Sequence, residues 1–113
     1  MKRIFSIFAI ALALLVNLSF GQPAIAEVSA GAKIFNNNCA SCHAGGNNSV
    51  VAAKNLKTAA LEKYGKNTIE AITLQVSKGK GAMPAFSKKL SPEQIDLVAN
   101  YVLEQASKDW AKG

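Results

Sequence analysis

The segment Cys39-Ala40-Ser41-Cys42-His43 constrains this chain more than any other. Two thiols separated by two residues, with an imidazole directly after them, form the attachment pattern of a c-type haem. The two cysteines stand about one helical turn apart. That spacing suits thioether bonds to the two vinyl groups of one porphyrin, and it brings the histidine to the iron as proximal ligand. A thioredoxin-like redox pair sits in a strand-helix-strand unit, and no such pattern surrounds this segment. A structural zinc site takes four protein ligands, whereas the chain holds two Cys and one His. The pattern implies one covalent haem c tethered by Cys39 and Cys42, with His43 as an axial ligand.

The N-terminus reads as an export signal. Met1-Lys2-Arg3 is basic, Ile4 to Phe20 is almost wholly apolar, and Gly21-Gln22-Pro23 interrupts the run before Ala24-Ile25-Ala26. A basic start, an apolar stretch and a small-x-small site form a secretory signal peptide. This predicts removal of residues 1–26 and one domain over residues 27–113. The alternative is a retained anchor, because the run approaches the length that spans a bilayer. The proline and small residues after it favour cleavage, which leaves a soluble chain with no stable membrane insertion. Thioether attachment of haem takes place outside the cytoplasm, so signal and motif support one another.

Residues 27–113 carry eleven Lys, no Arg and seven acidic side chains. So short a domain buries a modest core and ordinarily needs a staple. With both cysteines committed, the haem is that staple, and the apoprotein is expected to be largely unfolded. Nucleic acid is no partner for an exported haem protein, despite the positive charge.

The remaining segments read as helices joined by Gly- and Asn-rich loops. A helix is expected from Ser29 into the haem motif, with Ala32, Phe35 and Cys39 along one side. Gly45-Gly46-Asn47-Asn48 marks a turn within a loop that reaches Lys57. Thr58 is expected to cap a short helix ending at Gly65, and Asn67 to open another that stops near Gly79. The last helix has Ser91 as cap, Pro92 at its first position and Gln94 closing the box. Behind these, Ile95, Val98, Ala99, Val102 and Ala106 share one face. No stretch alternates as a strand does, so the fold class is all-α.

The sixth iron ligand follows from elimination. Beyond the leader the chain has one His and one Met, so bis-histidine coordination by this chain is excluded. Met83 lies in Lys80-Gly81-Ala82-Met83-Pro84-Ala85-Phe86, between two expected helices. Glycines at 79 and 81 permit a bent approach, and Pro84 stiffens the backbone behind the sulfur. A lone methionine more often fills a core, but this one sits in a loop rather than on an apolar helix face. With His43 and Met83 as axial ligands the iron has no open position, and the thioether raises the reduction potential. Outer-sphere, one-electron transfer is what such a site can do; it is not an enzyme.

Several segments together resemble the cytochrome c6 family: Cys39 to His43, Gly45-Gly46-Asn47, Leu61-Glu62-Lys63-Tyr64-Gly65, Gly81-Ala82-Met83-Pro84-Ala85-Phe86, Val98-Ala99-Asn100-Tyr101-Val102-Leu103 and Trp110. The resemblance runs from Ala30 to Trp110. It implies a class I cytochrome c fold of about four helices, with the first and last crossing near Gly31, Phe35 and Tyr101. The same resemblance implies electron transfer from the cytochrome b6f complex (through cytochrome f) to photosystem I, in the thylakoid lumen of a cyanobacterium or plastid. A periplasmic or respiratory carrier delivering to a terminal oxidase is the alternative, followed by a haem enzyme or gas sensor. The resemblance further places Gln75 near the haem, where it would tune the potential; otherwise it is a polar helix residue. Lys89, preceded by Lys88, occupies a position that often carries Arg for docking on photosystem I. The charge is retained but the planar fork is not. Lys78, Lys80, Lys88 and Lys89 flank the methionine loop and would steer the chain toward acidic partner surfaces. Lys54, Lys57, Lys63 and Lys66 form a second basic stretch with no assigned chemistry.

Overall fold

The computed structural model describes residues 23–111. Helix α1 spans Pro23–Asn38, starting six residues before the expected Ser29. Proline is well suited to the first helical position, where its missing N–H has no partner to lose, and Pro23 is the first described residue of this helix. The expected leader lies outside the described residues except for Pro23 to Ala26, the first turn of α1.

Cys39 joins α1 to a single turn, α2 (Ala40–His43). Its N–H donates to the Phe35 carbonyl at 2.8 Å and its carbonyl accepts from the His43 N–H at 2.9 Å, so the motif continues the helical path. Two successive left-handed glycines, Gly45 (φ 66°) and Gly46 (φ 79°), then turn the chain away. Asn48 holds the loop that follows. Its Oδ1 accepts from the N–H groups of Val50 and Val51, both at 2.9 Å, and its Nδ2 donates to the Lys54 carbonyl at 2.8 Å.

Helix α3 spans Thr58–Lys63. The expected cap moves by one: Lys57 precedes the helix, and Thr58 is its first residue. The Thr58 hydroxyl instead donates to the Ala106 carbonyl at 3.1 Å, tying α3 to the last helix. Left-handed Gly65 ends the turn as expected, with the Lys66 N–H reaching the Leu61 carbonyl at 2.7 Å. Helix α4 spans Ile69–Lys78, capped by Thr68 rather than Asn67, since Thr68 Oγ1 accepts from the Ala71 N–H at 3.1 Å. Gly79 (φ 66°) stops it. Helix α5 spans Pro92–Ser107 with the full capping box: the Gln94 N–H donates to Ser91 Oγ at 3.1 Å, and the Ser91 N–H donates to Gln94 Oε1 at 2.9 Å.

α1 and α5 cross where glycine lets two backbones meet. A Cβ on Gly31 would stand 2.7 Å from the Leu97 carbonyl oxygen and 2.8 Å from Tyr101 Cβ. One turn further along α1, the Phe35 and Tyr101 rings lie 5.4 Å apart between centroids. The core runs from Phe35 through Ile72 and Val76 of α4, Phe86 and Leu90 of the connecting loop, and Ile95, Val98, Ala99 and Val102 of α5. Each large apolar side chain contributes about 1.5–3 kcal/mol by leaving water. Among the described residues there is no strand, only an isolated bridge between Lys80 and Met83. The fold is all-α, as expected.

Candidate haem site

A cavity of about 630 Å³ opens between α2, the 48–56 loop, α3, α4 and the 80–86 loop. Its inner wall is apolar, formed by Phe35, Leu61, Ile72, Val76, Phe86, Val98 and Val102. Native interiors are close-packed and keep few voids larger than a water molecule. A hollow of this size with apolar walls and a few polar groups on its rim is a ligand cradle.

The attachment motif forms one side. Cys39, Ser41, Cys42 and His43 all line the cavity, and both cysteines are free thiols. They are not equivalent. Cys39 is half-buried, and burial pushes its thiol up to about 11, so it stays protonated at neutral pH. Cys42 is exposed. His43 Nδ1 lies 2.9 Å from the Asn47 carbonyl oxygen. A carbonyl can only accept, so this bond assigns the proton to Nδ1 and leaves the lone pair on Nε2, the form of imidazole that ligates a metal.

Met83 reaches the cavity from the other side. The Lys80 N–H donates to the Met83 carbonyl and the Met83 N–H to the Lys80 carbonyl, both at 3.0 Å, closing a tight loop. Gly81 at its tip takes φ 58°. The loop folds back against Gly79, whose Cβ would lie 2.7 Å from the Ala85 nitrogen; no other residue type fits there at φ 66°. Gln75 on α4 also lines the cavity, with Nε2 3.9 Å from Met83 Sδ.

Five residues singled out in the sequence (Cys39, Cys42, His43, Gln75 and Met83) therefore converge on one hollow. Of the four lysines expected to flank it, Lys80 lines the cavity while Lys78, Lys88 and Lys89 do not. Lys89 instead holds its Nζ 5.9 Å above the Phe86 ring. Lys54 and Lys66, which had no assigned chemistry, do line it, together with Tyr64. The Tyr64 ring sits 5.8 Å from Lys54 Nζ and 5.5 Å from Lys63 Nζ. Beside these cations Val50 is 59% exposed and Val51 46%, giving the rim an apolar patch. In the sequence Lys54 and Lys66 stand out only as members of a basic stretch with Lys57 and Lys63, which says nothing about where the loop goes.

The donor set fits a c-type haem: two free thiols on adjacent turns, one imidazole of defined tautomer, one thioether on the facing wall and an apolar enclosure between them. Among the described residues, no group of three or more His, Cys, Asp or Glu side chains gathers to hold a bare metal ion.

Comparison with known proteins agrees with this geometry. A family model described as cytochrome C oxidase, cbb3-type, subunit III matches residues 26–102. Cytochrome c6 of Nostoc sp. is 57% identical over 111 residues, 97% of this chain and 99% of the relative. Cytochrome c6 of Microcystis aeruginosa is 64% identical over 80 residues, 71% of this chain but 99% of that one. Among solved structures, cytochrome c6 from the diatom Phaeodactylum tricornutum superposes with a TM-score of 0.72 at 50% identity, covering 74% of this chain and 98% of that one.

Proposed function

The chain belongs to the cytochrome c6 family, electron carriers with the class I cytochrome c fold and a haem c cofactor, and from that premise we propose that it is a soluble one-electron carrier between the cytochrome b6f complex and photosystem I. The observation that carries the proposal is the convergence of Cys39, Cys42, His43 and Met83 on one apolar cavity. Cys39 and Cys42 would tether the haem covalently, and His43 Nε2 and Met83 Sδ would ligate its iron. Bound there, the haem supplies a one-electron ferric–ferrous couple. The protein residues do the rest. The Asn47 carbonyl fixes the imidazole, the apolar wall keeps water from the site, and the thioether favours the reduced state. With both side chains holding the iron in either state, little of the protein would have to reorganise on electron transfer.

The leader reading gains support from relatives that match almost entirely over about three quarters of this chain, such as the Microcystis protein. We assign residues 1–26 as a signal peptide and the thylakoid lumen as the compartment of residues 27–113. Among the described residues, no helix is long and apolar enough to cross a membrane. Lys80, with Lys78, Lys88 and Lys89 nearby in sequence, is the docking cluster for acidic partner surfaces, and Lys54 and Lys66 extend it along the cavity rim.

A second reading, donation to a terminal oxidase, takes its support from the oxidase subunit named by the matching family model. Flash-induced re-reduction of photosystem I by the purified reduced protein, across a salt series, separates the two. Fast, concentration-dependent and salt-sensitive re-reduction is expected. Slow re-reduction at every salt concentration, with normal oxidase reduction, would give the oxidase reading precedence.

A further inference from the structure

The C-terminal segment stays left-handed for one residue more than its helix cap requires. The Asp109 N–H donates to the Ala106 carbonyl at 3.0 Å and the Trp110 N–H to the Gln105 carbonyl at 2.8 Å. These bonds form an ordinary cap, which asks for a left-handed residue at Asp109 alone. Asp109 and Trp110 both take left-handed backbone angles, φ 53° and 56°. Two consecutive non-glycine residues in that region are costly and persist only where surrounding contacts over-determine them. Beyond the cap bonds, those contacts come from the side chain of Trp110. Its ring lies 5.3 Å from Phe35 and edge-on to Tyr101 at 6.2 Å. Its indole N–H donates to the Leu56 carbonyl at 3.0 Å, across 54 residues of sequence.

From Leu56 the path leads to the haem motif. The Leu56 N–H donates to the Gly46 carbonyl at 2.7 Å, so Leu56 is bonded to Trp110 through its carbonyl and to Gly46 through its amide. The opposite side of Gly46 is covered by the indole itself, where a Cβ would collide with the ring. Gly46 is thus fixed from two directions by one side chain and the strand of loop that this side chain holds. The next residue is Asn47, whose N–H is bonded to the Ala44 carbonyl at 3.2 Å and whose carbonyl accepts the His43 Nδ1 proton.

Building on the assignment of His43 as the axial ligand, we propose that Trp110 is a positioning residue for His43. The indole clamps the 44–56 loop so that the Asn47 carbonyl stays in line with Nδ1. The C-terminus thereby sets the tautomer and donor strength of an imidazole that it never touches. A backbone acceptor on Nδ1 makes the ring a stronger donor through Nε2, which favours the oxidised metal. A loosened clamp weakens that acceptor and shifts the potential upward.

The test uses the haem-loaded protein and two substitutions. Trp110→Phe keeps an aromatic ring against Phe35 but removes the indole donor. Thr58→Val removes a different side-chain tie between the C-terminal segment and the body, the hydroxyl bond to the Ala106 carbonyl, and leaves the 44–56 loop alone. The expected result for Trp110→Phe is an upward shift in potential, a moved His43 Nδ1–H resonance, and exchange at the Leu56 and Asn47 amides faster by roughly five- to tenfold, the scale of one lost hydrogen bond. Thr58→Val should lower stability with none of these changes. Equal destabilisation by both, with the potential and the His43 resonance unmoved in Trp110→Phe, would overturn the proposal.

If Trp110→Phe does not load haem, the unaltered protein still decides. Hydrogen exchange at the Trp110 indole, the Leu56 amide and the His43 ring should report one shared opening; unrelated openings would sink the clamp. The spectrum of the unaltered protein reports separately on whether His43 is an axial ligand at all.

Discussion

The Gln75 amide nitrogen lies 3.9 Å from the sulfur of Met83, the only side-chain donor hydrogen-bonded to that sulfur among the described residues. The contact is long, but it sets the positive end of an N–H dipole beside the thioether, in a setting of low dielectric. Such a dipole draws electron density from sulfur and favours the reduced couple.

Replacing Gln75 by Val should therefore lower the reduction potential. A weak hydrogen bond contributes about 1 kcal/mol, or roughly 40 mV for a one-electron couple at about 59 mV per tenfold change. Stability should change little, since the side chain is half-buried and valine fits a helix wall beside Val76. Redox titration of the variant checks the sign; a higher potential would mean that the amide acts on something other than sulfur.

Removing the sulfur is the stronger intervention. Met83→Ala should lower the potential well beyond the Gln75 effect and should open a position for carbon monoxide in the reduced protein. The unaltered protein should show no appreciable binding at neutral pH. Rapid carbon monoxide binding by the unaltered protein would remove the pure carrier reading, and an unchanged potential in the variant would remove Met83 as ligand.

Helix identity and the haem motif are legible in the sequence because both rest on local rules. The α5 box is written in Ser91, Pro92 and Gln94, and the five apolar residues behind it are all buried, from Ala99 at 0% to Ala106 at 6% exposed. The pairing of His43 with Met83 comes from elimination, because the chain beyond the expected leader has one His and one Met, and both side chains line the cavity. What escapes depends on contacts distant in sequence. Thr58 resembles a cap as long as its hydroxyl is set against its own helix, whereas Ala106 takes it. Lys54 reaches the cavity rim because Asn48 folds its loop in one particular way, and Lys66 because left-handed Gly65 turns the chain back at the end of α3, neither of which periodicity encodes. The tie from Trp110 to Leu56 spans 54 residues and is invisible in the sequence for the same reason.

Gly31 carries the crossing of α1 and α5, so it should tolerate no side chain. Gly31→Ala improves helix propensity by about 1 kcal/mol, but its methyl would press on the Leu97 carbonyl and Tyr101 Cβ, one of them backbone. Overpacking of this kind costs about 1–3 kcal/mol. The net expectation is a lower Tm with an unaltered potential, because Gly31, Leu97 and Tyr101 do not line the cavity. Thermal unfolding followed at the haem band checks it; an unchanged or higher Tm would show that the helices can slide apart at no cost.

The lysines make the last prediction, and their placement ranks them. Lys54, Lys66 and Lys80 line the cavity where an electron would leave, next to exposed Val50 and Val51, whereas Lys88 and Lys89 do not. An apolar patch allows close approach, and cations around it select an acidic partner and orient it. Charge reversal at Lys80 should slow photosystem I re-reduction several-fold at low ionic strength, by the loss of steering. Lys54→Glu or Lys66→Glu should do nearly as much. The differences should fade near 1 M salt, where screening acts within about 3 Å, and the potential should stay constant throughout. Reversal at Lys88 or Lys89 should have the smaller effect, because each sits further from the rim and Lys89 is drawn over Phe86. If those two dominate instead, the partner grips the approach to α5, and the electron leaves through the wall formed by the methionine loop.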